Sequence, residues 1–346
     1  MTFAVPNFTR GAVTRAGEIL ISTSATPEEG AQALGLINHW RACHAYPVNT
    51  FQATLRDRLN KICTKGLVAQ RLKRVPSIKK KLQDNHGMQL ARMQDIGGLR
   101  AVVENMAQVR KLEERYSDGS LTHELVDTDD YISNPKTSGY RSLHLIYKYK
   151  NPAAKQYNGL CLELQIRTTL QHAWATAVET IGSFISQALK ANEGPAEWLE
   201  YFKIVGAAFA IMEKCPPPLE FQGMSKNDIF AKCVEAEQHL DVRRKLHGFV
   251  LAANAITSSS AKGSYHLIVL NATERTLKIA SFGKGRLEQA NSAYADAERQ
   301  ALENDAIQTV LVATNSVASL RRAYPNYFLD TREFLQWLGR VEKHAA

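Results

Sequence analysis

The chain has 346 residues, 45% hydrophobic and 22% charged, a balance that supplies ample core and suits two domains at about 100–200 residues each. No apolar run reaches the roughly 18 residues needed to cross a bilayer, and the opening MTFAVPNFTRGAVTR lacks the charged start and apolar core of a secretory leader, so a cytoplasmic protein with no membrane partner is predicted. Cys43, Cys63, Cys161, Cys215 and Cys233 are scattered without C-x-x-C spacing, which points to free thiols and away from zinc.

In chain order, TPEEGAQALGLINHWRACHA (26–45) predicts a helix, with Thr26 as its cap and acids in its first turn. Pro47 is expected to interrupt the helical pattern, which resumes from Phe51 to Cys63. The net charge of +9 is concentrated next: Arg56 to Asp84 carries ten basic residues against Asp57 and Asp84. Such a block suits a phosphate-rich partner, nucleotide or nucleic acid, as readily as a solvated helix face. Within it, Pro76 and Ser77 are expected to precede a second short helix. Asp95 stands at the mouth of an apolar strand, Leu99 to Val103, entered through Gly97 and Gly98. A helix from Met106 to Tyr116 and a strand in LTHELVDTDD complete this part.

The stretch from Asp130 to Glu179 organises the rest. The loop NPKTSGY is followed by two segments of period-two alternation, SLHLIYKY and GLCLELQIR, which read as half-buried strands. Their polar faces gather His144, Glu163, Gln165 and Arg167 beside the loop, a convergence that marks a site. A helix from about Leu170 to Leu189 and another from Ala196 to Glu213 come next. The prolines of KCPPPLEFQGMSK give the expected boundary between residues 1–215 and 216–346. Beyond it, one long helix is predicted from Asn227 to about Ile256. Then come strands Tyr265 to Asn271 and Thr276 to Phe282, a helix from Leu287 to Glu303, a strand Thr309 to Ala313 and a terminal helix from Thr331 to Lys343.

Three motifs join into one chemistry: R-x-K-x-x-x-S (Arg71, Lys73, Ser77), D-x-x-G-x-R (Asp95, Gly98, Arg100) and E-x-Q-x-R (Glu163, Gln165, Arg167). Two carboxylates on neighbouring strands can share Mg²⁺, which keeps substrate phosphates as further ligands. Cations around them would hold a triphosphate, and Arg71 and Arg100 can sandwich a flat ring. The loop adds Lys136 and Tyr140, an aromatic suited to stacking on a second base.

DIGGLR, NPKTSGYRSLH, ELQIRT and HAWA, in this order, closely resemble the synthetase domain of RelA/SpoT-type alarmone synthetases over roughly Arg41 to Glu200. The resemblance implies an α/β (α+β) nucleotidyltransferase-like fold, a mixed sheet flanked by helices, and pyrophosphate transfer from ATP to a ribose 3′-hydroxyl. It implies Asp95 and Glu163 as Mg²⁺ carboxylates, with Glu163 also the base. It implies Arg71 and Arg100 around adenine, and Lys73, Ser77 and Lys136 on phosphates. Tyr140 is implied on the acceptor base, with His144, Gln165 and Arg167 beside it. No upstream His-Asp hydrolase domain is expected.

The C-terminal ββαβα unit, which has no cysteine, resembles the pseudo-zinc-finger domain of CapRel-like fused toxin–antitoxin proteins, whose Y-x-x-Y element matches Tyr324 and Tyr327. That resemblance implies an autoinhibited anti-phage toxin. A phage major capsid protein would release it, and it would then pyrophosphorylate the 3′ CCA end of tRNA. The basic segment with Lys190, Lys203 and Lys214 would help hold a tRNA stem. The alternatives are a (p)ppGpp synthetase using GDP or GTP as acceptor, and a non-catalytic nucleotide sensor. Packing of the two tyrosines under the terminal helix is the competing reading of Y-x-x-Y.

Overall fold

Thr26 opens a helix as its sequence requires: its hydroxyl accepts from the Glu29 N–H, and the Glu29 carboxylate accepts from the Thr26 N–H. The computed structural model describes residues 3–184, 196–243, 246, 265–271, 274, 276–283, 285–304, 307–313 and 331–345. Three helices come first, α1 (Arg10–Ile21), α2 (Pro27–Cys43) and α3 (Ala45–Asn60). Pro47 does not delay α3 to Phe51. It stands in the first turn, where a missing N–H costs no intrahelical bond.

The basic segment hides a strand. β1 (Leu67–Leu72) precedes α4 (Val75–Asp84), and Pro76 and Ser77 lie inside the first turn of α4 rather than before it. β2 (Gly97–Val103), α5 (Met106–Ser117), β3 (Glu124–Asp130), β4 (Leu143–Lys148) and β5 (Cys161–Thr168) come after it. The sheet order is β1-β2-β5-β4-β3. β2 and β5 run parallel and the other pairs antiparallel, so the sheet is mixed and β1 and β3 are its edges. Leu99, Leu145 and Leu164 point into a core shared with Val48, Phe51 and Leu55 of α3 and with Val109 and Leu112 of α5. The opposite face is left for polar side chains.

A second core forms from α6 (Thr169–Phe184), α7 (Ala196–Met212), α8 (Lys226–Leu240) and the terminal α10 (Arg332–Ala345). Phe334 of α10 is fully buried, its ring 6.1 Å from Phe202 and 5.7 Å from Phe209, both on α7. The long helix expected from Asn227 stops at Leu240. Asp241 caps it in the left-handed conformation, its N–H bonding to Gln238 and Glu237 carbonyls.

β6 (Tyr265–Asn271), β7 (Thr276–Phe282), α9 (Leu287–Glu303) and β8 (Ile307–Ala313) build an antiparallel sheet of order β7-β6-β8 with α9 packed on it. α10 leaves this unit and docks on α6 and α8. Tyr324 and Tyr327 lie outside the described residues, as does Lys190.

Candidate active site

Strand register aligns the polar face. Arg100 of β2 pairs with Gln165 of β5, which pairs with His144 of β4, while Glu163 pairs with Gly98 and Ile146. Arg71 of β1 lies opposite Gly98. A cavity of about 370 Å³ opens over this row. Its lining includes Arg71, Asp95, Arg100, Lys136, Tyr140, His144, Glu163, Gln165 and Arg167. Lys73 reaches the same place through Asp95. Ser77, half-buried in the first turn of α4, is in the lining of neither this cavity nor the smaller one beneath Arg71 and Arg100.

Asp95 is held from both sides. Its Oδ2 is 2.7 Å from Lys73 Nζ and its Oδ1 is 2.9 Å from Lys81 Nζ. Burial pushes its carboxyl up, but the two ammonium groups outweigh burial and hold it below the usual carboxylate range. Burial also pulls Lys73 below the ordinary lysine value, against the opposing pull of Asp95.

The other carboxylate belongs to a closed ring of side chains. Glu163 Oε1 is 2.8 Å from His144 Nδ1, and its Oε2 accepts from Gln165 Nε2 at 2.8 Å. Arg167 donates to Gln165 Oε1 at 2.5 Å and to the Tyr140 hydroxyl at 3.0 Å. Tyr140 and His144 Nε2, 2.9 Å apart, close the ring. Burial disfavours the charged imidazole, yet Tyr140 and Glu163 raise His144 to about 9. Burial likewise raises Tyr140, but Arg167 and His144 bring it down to about 8. Glu163 stays below its ordinary value despite burial, because it bonds to His144.

Several lining residues carry no place in the sequence motifs. Lys81 sits one helical turn beyond Ser77, a spacing that puts both on one face of α4. Tyr131 lies over the loop: Lys136 Nζ is 4.2 Å from its ring centroid, and its ring meets His144 edge-on at 5.2 Å. Asp129 and Glu179 also line the cavity. Among the cations read as holding a nucleic acid, Lys203 is engaged by Glu200 at 3.4 Å and Glu220 at 3.9 Å.

The C-terminal unit approaches this site. Arg41 donates to the Lys73 carbonyl and to Glu298 of α9, and Glu298 accepts from the Val75 N–H at the start of α4. Arg71 also borders a separate cavity lined by Tyr265, Asn291 and Leu311.

Comparison with known proteins points to the same strands. Residues 70–181 match the region found in RelA / SpoT proteins. The chain is 36% identical over 85 residues to the GTP pyrophosphokinase YjbM of Bacillus subtilis, covering 24% of this chain and 39% of that protein. It is 27% identical over 179 residues to the chloroplastic GTP diphosphokinase CRSH1 of Oryza sativa, covering 49% of this chain and 30% of that one. The chain thus spans less than half the length of these curated relatives. The small alarmone synthetase 1 structure from Bacillus subtilis covers 51% of this chain and 91% of its own, at 23% identity and a TM-score of 0.43. The matched stretch, 70 to 181, carries the end of β1, all of β2, both carboxylates and the polar ring, and is similar to the region found in RelA / SpoT proteins.

Proposed function

We propose that this protein transfers pyrophosphate from ATP to a ribose 3′-hydroxyl, releasing AMP. The observation that carries the reading is the cavity itself: Asp95 and Glu163 share it with Arg71, Arg100, Lys136 and Arg167. Carboxylates beside clustered cations suit a metal-bound triphosphate. Asp95 and Glu163 are the residues that would hold Mg²⁺. Among the described residues no group of three or more His, Cys, Asp or Glu could hold a metal. Mg²⁺ needs only one or two carboxylates when phosphates and water complete its shell, so the donor set fits. The bound ion would supply charge neutralisation along the triphosphate.

The chain's own groups then divide the work. Lys73 and Lys81, now on Asp95, are placed to receive phosphate oxygens. Arg71 and Arg100, on neighbouring strands, flank the adenine. Glu163 is ionised and takes the proton of the attacking hydroxyl, while Tyr140 offers its ring to the acceptor base.

For the acceptor we favour the 3′ end of tRNA, with residues 216–346 restraining the enzyme until a phage major capsid protein releases it. Resemblance of the C-terminal unit supports this, as does the approach of Tyr265 and Asn291 to Arg71. A guanine nucleotide is the second reading, favoured by the names of the matched relatives. The test offers γ-labelled ATP and Mg²⁺ with GDP, GTP or bulk tRNA, with and without capsid protein. Label on tRNA that depends on capsid supports the first reading; label on guanine nucleotide without a trigger replaces it. No label on any acceptor leaves a nucleotide sensor.

A further inference from the structure

We infer that Glu213, at the end of α7, is a positioning residue that sets the acceptor loop against the catalytic strand. The inference rests on the proposed transfer reaction. It starts from Arg141, the neighbour of Tyr140, whose side chain is 3% exposed. Arg141 donates to Glu213 Oε2 at 2.7 Å. The same oxygen accepts from Gln171 Nε2 at 3.0 Å, and Glu213 Oε1 accepts from the Thr168 hydroxyl. Thr168 ends β5, the strand that carries Glu163, Gln165 and Arg167. One carboxylate therefore ties the residue after Tyr140 to the strand of the proposed base. Charge-assisted bonds of this kind are short and directional, and a buried arginine left without its partner is costly.

A second contact on the same helix holds the loop independently. Gly139, at φ +85°, lies directly on Gly206 of α7. A Cβ at Gly206 would stand 2.7 Å from both the Cα and the carbonyl oxygen of Gly139, closer than real Cβ contacts come. Trp174 completes the seat: its Nε1 donates to the Phe202 carbonyl at 3.0 Å, and its ring meets Tyr140 edge-on at 6.2 Å. The loop that presents Lys136 and Tyr140 is thus held by α7 at Gly206 and at Glu213. ATP-side residues Arg71, Lys73 and Asp95 take no part in either contact.

Glu213→Gln and Gly206→Ala in the full chain test this, read by steady-state kinetics for each substrate and by amide exchange in residues 136–141. Each variant is expected to raise the acceptor KM about tenfold, leave the ATP KM within twofold and speed exchange of the Gly139 amide, with Glu213→Asp partly restoring the acceptor KM. A merely structural role would reduce the active fraction, and so kcat, while leaving both KM values alone. Unchanged acceptor KM and unchanged loop exchange would overturn the role of Glu213. Should Glu213→Gln fail to fold, Glu213→Asp, which keeps the charge on a shorter side chain, decides on the same readings. A wild-type protein that transfers no label to any acceptor overturns the reaction reading instead, a result distinct from an active protein indifferent to Glu213.

Discussion

Glu298 and Arg41, 257 residues apart in the chain, form a buried ion pair in which both carboxylate oxygens take a guanidinium nitrogen, at 2.5 and 3.2 Å. Tyr294 adds its hydroxyl to Arg41 at 2.9 Å, and Glu298 caps α4 through the Val75 N–H at 3.0 Å. A helix of the C-terminal unit thereby holds the first turn of the helix whose Lys81 reaches Asp95. Removing one partner of a buried pair costs about 3–5 kcal/mol, because the other is left charged and dry. Glu298→Gln should therefore loosen α9 from α4 and speed exchange of the Val75 amide. Protection of that amide at the wild-type level would show that α9 docks through apolar contacts alone.

Glu163→Gln addresses the proposed base. The amide keeps the size of the side chain but cannot take a proton, and general-base assistance is worth about 10²–10⁴-fold in rate. Turnover should fall by at least that factor with every acceptor, measured by label transfer at saturating ATP and Mg²⁺. A variant retaining a third of wild-type turnover would remove Glu163 from the role.

The alternation in SLHLIYKY and GLCLELQIR was enough to give β4 and β5 and to put His144, Glu163, Gln165 and Arg167 on one face, since side-chain direction alternates in any strand. β1 stayed hidden because Gln70 and Arg71 sit on an edge strand that is only partly buried, so its apolar pattern is weak. Lys81 was obscured by the cationic run around it. Asp95 places its two oxygens on lysines from β1's end and from α4, a pairing that spacing alone does not encode. The same holds for Glu213, whose partners lie 72, 45 and 42 residues away.

Removal of residues 216–346 is expected to yield a destabilised protein rather than a clean release of inhibition. α8 and α10 bury Ile229, Phe230, Phe334, Leu338 and Val341 against α6 and α7. Full burial of such side chains stabilises by roughly 1.5–3 kcal/mol each. Truncation would uncover the facing surface, including Phe202 and Phe209 of α7, both in ring contact with Phe334. The thermal midpoint of a 1–215 fragment should drop by well over ten degrees, or the fragment should aggregate. A fragment as stable as the whole chain would show that the two cores are separable. Restraint by the C-terminal unit is better probed with Tyr324→Ala and Tyr327→Ala in the full chain, which should raise basal transfer if the Y-x-x-Y element carries the proposed autoinhibition.

His44 gives the fold a predictable acid sensitivity. It is wholly buried between Trp40, whose ring lies 4.9 Å away, and Gly97 at the entry to β2. Nδ1 donates to the Trp40 carbonyl at 2.9 Å, and Nε2 has no hydrogen-bond partner among the described residues, the arrangement of a neutral ring. Burial pushes its pKa down to about 4. An unfolded histidine takes its proton near 6.5, so above that pH neither state is charged and His44 costs nothing. As the pH falls from about 6.5 toward 4, the unfolded chain binds a proton that the folded one refuses, and stability is lost. At pH 5 the loss is about 2 kcal/mol, from roughly 1.4 kcal/mol per pH unit. Glutamine at this position can still donate to the Trp40 carbonyl but does not titrate. Urea unfolding of wild type and His44→Gln at pH 7 and pH 5 should therefore show the wild type losing about 2 kcal/mol more than the variant. Equal losses would mean that the ring accepts its proton inside the fold.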